Sequence, residues 1–118
     1  MINKSILEEI AIDDFFKIDI RVGTILNASF NKKAKKPAYI LDIDFGDVIG
    51  IKKSSAQITE NYSLEILKGQ QILAVMNFPP MRVAGVKSEV LVLAVVCDKK
   101  GTILIEPTKD VNNGEKLL

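Results

Sequence analysis

Two apolar runs of strand length, Ile72–Met76 and Val90–Cys97, stand on either side of Pro79-Pro80, and this arrangement narrows what the chain can become. Both runs read as buried strands. Neither proline can donate to a sheet ladder, so the first strand must end before them. Gly85 then permits a tight turn at positive φ. Arg82, Lys87, Ser88 and Glu89 are left crowded where the second strand begins. A polar cluster pinned by two core strands and a stiff loop reads as a recognition surface, because function gathers on loops held by a rigid scaffold. The plainer alternative is an ordinary connection between strands.

The β pattern continues elsewhere. In Lys17–Phe30, Ile18, Ile20 and Val22 alternate with Lys17, Asp19 and Arg21, a two-residue period with one wet face. Gly23 interrupts that run and predicts a bulge or sharp bend. After a loop at Asn31–Pro37, Tyr39, Leu41, Ile43 and Phe45 face one way and Asp42 and Asp44 the other. Gly46-Asp47 reads as a turn and Val48–Lys53 as the returning strand. Ser54–Ile58 reads as a helical turn entered through a serine cap. A short helix is expected at Leu64–Leu67, closed by Gly69. Lys99-Lys100-Gly101 turns into a last strand, Thr102–Glu106, and the tail from Pro107 to Leu118 ends apolar, as a tied-down segment does. At the other end, Ile6, Leu7 and Ile10 form a stripe on a helix expected from Asn3 to Ile12, capped by Asn3 or Ser5. Ten helical residues are marginal alone, so the stripe needs a partner surface, either its own barrel or a second subunit. Five to seven strands with a helix between the third and fourth predict a mainly β fold. Its form is a five-stranded Greek-key OB-fold barrel with a short N-terminal helix and extra C-terminal strands. Residues 1–118 read as one such domain, 1–16 being the helical extension.

The chemistry open to the chain is limited. There is no histidine, so no side chain with an ordinary pKa titrates between pH 5 and 8. Ser54 has no base in a Ser-x-x-Lys pattern. Asp42, Asp44 and Asp47 lack the glycine and distal glutamate of a calcium loop. Neither a metal nor a cofactor is expected. The single cysteine, Cys97, reads as a small core residue in a reducing compartment. No apolar run approaches the roughly 20 residues that span a bilayer, and Glu8-Glu9 fall where a secretory signal needs an apolar core. The expected location is the cytoplasm, without membrane insertion. Net charge is only +1. Its distribution is uneven, acidic over residues 1–19 and basic over 31–53, which predicts a positive patch.

Several segments together resemble the free-standing tRNA-binding OB domain family, and within it the CsaA-type secretion chaperones. They are Asp19-Ile20-Arg21-Val22-Gly23, Lys36-Pro37-Ala38-Tyr39, Ile43-Asp44-Phe45-Gly46, Gly50 to Thr59, Asn77-Phe78-Pro79-Pro80 and Gly85 to Leu93. The resemblance runs from about Asp13 to the end. It implies a homodimer of OB barrels that is not an enzyme, with tRNA as partner and unfolded preproteins or the export machinery as further partners. On the RNA-binding reading, Lys32, Lys33, Lys35 and Lys36 pair with phosphates as mobile point charges, and Lys52 and Lys53 extend the track. Arg82 and Lys87 add charge from the Pro-Pro side. Ser54 and Ser55 offer hydroxyls and N–H groups to a phosphate. Asn77, Ser88 and Glu89 read a base edge or a 2′-hydroxyl. Aromatic stacking has little support, since there is no Trp and Tyr39 and Phe45 share a core face. The competing reading is a peptide-binding module: Phe78, Pro79, Pro80, Met81 and Val83 form an apolar edge suited to varied partners. The same edge reads equally as a dimer seam.

Overall fold

The computed structural model describes residues 5–118. In chain order the elements are α1 (Ile12–Phe16), β1 (Ile20–Phe30), β2 (Tyr39–Asp44), β3 (Ile51–Ala56), α2 (Leu64–Leu67), β4 (Gln71–Val75), β5 (Met81–Val83), β6 (Val86–Ser88), β7 (Leu91–Val92), β8 (Ala94–Cys97) and β9 (Gly101–Leu104). Five antiparallel strands lie in the order β3-β2-β1-β4-β7. The sheet curls until β7 returns to β3, where Glu89 N donates to Lys53 O at 2.7 Å and Ser54 Oγ donates to Val90 O at 2.9 Å. This is the predicted OB barrel, with α2 in the link between β3 and β4.

The inward positions of each strand fill the barrel. Ile25, Leu41, Ile43, Phe45, Ile72, Ala74 and Val90 pack together, with Ile58 and Leu67 in the same cluster. Tyr39 is also inside, and its hydroxyl donates to Tyr62 O at 2.7 Å, so the buried phenol keeps a partner. Gly23 works by absence. A Cβ there would lie 2.6 Å from Ile43 Cγ2 and from the Phe45 ring, so only glycine lets β1 cross so close to β2. The bulge expected at Gly23 falls instead at Leu26, where the register slips between Ile25 opposite Ile43 and Asn27 opposite Asp42.

Other expectations shift for identifiable reasons. The helix does not run from Asn3 to Ile12. Residues 5–11 carry no helix, and Ile6, Leu7 and Ile10 are exposed, with no barrel surface to support a stripe. Asn3 lies outside the described residues. The helix that does form is the five-residue α1, entered through extended Ala11 without a side-chain cap. The returning strand begins at Ile51, because Gly46 and Gly50, both at positive φ, close a tighter loop through Gly50 N to Gly46 O at 2.7 Å. Ser54-Ser55 is therefore strand rather than helical turn, paired with Leu41 and Ile40. The Val90–Cys97 run breaks at Leu93, whose N–H bonds Leu73 O and whose carbonyl accepts from Ile105 N. This exchange of neighbours separates β7 from the β8–β9 hairpin. Cys97 is half-buried, outside the core cluster.

Two predictions in the chain's second half stand. The short helix expected at Leu64–Leu67 forms as α2, entered through Ser63, which accepts from Ile66 N at 3.3 Å. The tail is bound along β1: Val22 N donates to Glu115 O, Gly114 N to Val22 O and Leu117 N to Ile20 O. Gln71 adds a two-way clamp on Val111.

Candidate nucleic-acid interface

Two loops rise from one side of the barrel. The first joins β1 to β2 and carries Lys32, Lys33, Lys35 and Lys36, all exposed. The second is the β5–β6 hairpin, which the sequence presents only as a stiff connection. Its turn places Ala84 at φ 47° and Gly85 at φ 82°, the primed geometry that matches strand twist in two-residue hairpins. Between them lies a groove of about 700 Å³ lined by Lys33, Lys35, Lys36, Ser55, Gln57 and Ala84. A Cβ on Gly85 would be 3.7 Å from Lys33 Nζ, so the Lys33 side chain reaches across to the hairpin tip. In OB barrels the corresponding loops flank the oligonucleotide-binding face.

One buried residue, Asn31, ties these loops together. It is 7% exposed. Its Oδ1 accepts from Lys33 N at 3.2 Å, an Asx turn that starts the lysine loop, and its Nδ2 donates to Val83 O at 3.5 Å on the facing hairpin. Sequence reasoning passed over it. The available signal was an Asn directly after a strand and two residues before a lysine.

The remaining candidates divide sharply by surroundings. Among the described residues, none of Lys32, Lys33, Lys35, Lys36, Arg82 and Lys87 has a carboxylate oxygen within 4.0 Å. Arg82 Nη1 donates to Gly85 O at 3.3 Å, bracing the turn. Lys53, by contrast, pairs with Asp42 at 2.9 Å and Lys52 with Glu89 at 3.8 Å. Glu89 also accepts from Lys53 N at 3.1 Å, so its carboxylate closes the barrel seam instead of facing a ligand. Ser54 is 1% exposed and its hydroxyl points inward to Val90 O. Ser88 Oγ accepts from Ser55 N at 3.1 Å, joining β6 to β3. Asn77 is removed from the groove: it clamps the start of β1, accepting from Asp19 N at 2.9 Å and donating to Lys17 O at 2.7 Å.

The apolar edge is partly open. Phe78 and Met81 are 51% and 68% exposed, Pro79 and Pro80 are exposed, and Val83 is half-buried against the lysine loop. Of the aspartates with superficial cation-site spacing, Asp42 is engaged with Lys53 and Asp44 with Gly46 N at 2.9 Å. Among the described residues no three acidic or cysteine side chains group as metal ligands, and no helix is long and apolar enough to cross a membrane.

Comparison with known proteins points the same way. A family model described as "Putative tRNA binding domain" matches residues 20–116. The methionine–tRNA ligase of Archaeoglobus fulgidus is 37% identical over 110 residues, 93% of this chain but only 16% of the ligase. The chain thus spans about one-sixth of the length of such relatives. The crystal structure of chaperone CsaA from Bacillus anthracis superposes with a TM-score of 0.89 at 49% identity, covering 94% of this chain and all of that one. The CsaA chaperone protein from Picrophilus torridus gives 0.88, also at 49% identity, over 93% of this chain and all of that one. With its barrel, its groove and a match over most of its length, this chain belongs to the tRNA-binding domain family.

Proposed function

We propose that this protein binds tRNA without catalysing a reaction on it, as a homodimer in the cytoplasm. One observation carries the reading: four exposed lysines of a single loop have no carboxylate within 4.0 Å among the described residues, and three of them line a groove against a hairpin that also carries Arg82 and Lys87. An unpaired ammonium in water is free to release a counterion from a phosphate, and that release drives non-specific nucleic-acid binding. The groove offers charge and shape in place of base-edge readout, because Asn77, Ser88 and Glu89 are committed within the fold. If the four loop lysines each neutralise one phosphate, raising salt from 50 to 200 mM weakens tRNA binding by about 50- to 150-fold. A filter-binding titration at the two salt concentrations measures this, and an affinity unchanged across the range removes the loop from the interface.

A second reading, holding of unfolded preproteins, has its own support. Phe78 and Met81 are exposed beside the two prolines, and both CsaA structures are of proteins named as chaperones. Suppression of aggregation of a chemically unfolded client, lost in a Phe78→Ser variant that stays dimeric, is the expected result. Equal suppression by that variant assigns the edge to some other role.

A further inference from the structure

Phe30 is the last residue of β1, immediately before the buried anchor Asn31 and two positions before Lys32. Opposite it in the ladder stands Tyr39, whose ring belongs to the barrel interior. Phe30 does not join that interior. Its ring leans edge-on against Tyr39, with centroids 5.1 Å apart and planes at 64°, and 56% of the residue remains exposed. The Tyr39 hydroxyl is fixed by Tyr62 O, so the surface on which Phe30 rests is itself held in place. An exposed phenyl forgoes the stabilisation that burial would bring. Here it is oriented in advance and joined to uncompensated cations through Asn31, whose N–H bonds Ala38 O and whose side chain bonds Lys33 N and Val83 O. Proteins that hold unpaired nucleotides combine these same two elements, a fixed aromatic face and a cationic track for the backbone.

We infer that Phe30 is a stacking platform for an unpaired base of the bound RNA, with Lys32 and its loop neighbours taking the adjoining phosphates. The inference rests on the tRNA reading and narrows it. The preferred partner is RNA that presents a splayed or looped-out base, over a uniform duplex whose bases are closed in their own stack.

The test uses the full chain as wild type, Phe30→Leu and Phe30→Trp, with tRNA and a fully paired RNA duplex of similar length as probes. Leucine keeps the apolar contact with Tyr39 and removes the π face. The expected loss of tRNA affinity is about 5- to 150-fold, the range that alanine substitution of stacking aromatics reports. The slope of log affinity against log salt should stay at the wild-type value, and the ratio of tRNA to duplex affinity should fall. Tryptophan keeps the platform and becomes the only indole in the chain, so tRNA should quench its emission and duplex should not. Wild-type tRNA affinity in Phe30→Leu, an equal loss for both RNAs, or an unquenched Trp at saturating tRNA overturns the platform while leaving the lysine loop as an RNA site. A wild-type protein that binds neither RNA removes the tRNA reading and the platform together. Melting curves for each variant check folding, and if Phe30→Leu does not fold, the tryptophan signal decides.

Discussion

Among the described residues Lys35 and Lys36 have no carboxylate within 4.0 Å, whereas Lys53 sits 2.9 Å from Asp42 and Lys52 3.8 Å from Glu89. Identical side chains therefore carry different weight toward a polyanion. A Lys35→Ala/Lys36→Ala double variant should make the slope of log affinity against log salt shallower by about 1.4–1.8. Lys53→Ala should change it little, because that charge is already balanced within the fold. Titrations over a salt series compare the two, and an equal effect contradicts the division. Charge at these positions was legible in the sequence; pairing was not, since Asp42 and Lys53 meet only through the register of two strands. The same limit hid Ser54 and Asn77, whose polar atoms were open to several uses until their neighbours were known. Asn31 shows the converse, a residue overlooked because its second partner, Val83, lies 52 positions away.

At the scale of elements, local signals identified β2, α2 and the β8–β9 turn, where apolar alternation and well-placed glycines act over a few residues. Three features escaped them. The stripe at Ile6, Leu7 and Ile10 has helical spacing but no surface beneath it. The seam serines resemble a helix cap, yet they continue a strand because small side chains let β6 and β7 approach β3. Gly23 stands out in the sequence, but as the site of a bulge; in the fold it admits Ile43 and Phe45 while the bulge sits at Leu26. Gly23→Ala should therefore destabilise the barrel by about 1–3 kcal/mol through overpacking. A downward shift of the urea midpoint at constant m-value reports it, and a midpoint equal to wild type shows that the two core side chains yield freely.

Over the whole molecule the barrel was readable, because strand count, helix position and the Pro-Pro break leave few topologies. Association was not readable from the barrel alone. Ile6, Leu7, Ile10 and Ile12 remain exposed on their own subunit, as do Phe16 and Leu118. On the homodimer proposal these residues meet a second copy. Sedimentation equilibrium should then find a dimer for the full chain and a monomer for a chain starting at Ile12, with the barrel's circular dichroism retained. A truncated chain that stays dimeric moves the contact elsewhere. The strap along β1 has a different consequence, one of timing during synthesis. Arg21 pairs with Lys116, roughly 95 residues downstream. At about 5–20 residues per second, a ribosome needs roughly 5–20 s to deliver that neighbour. Throughout the interval one flank of the earliest long strand stays bare and open to mispairing, so the nascent domain depends on the cell's shielding until its final stretch emerges.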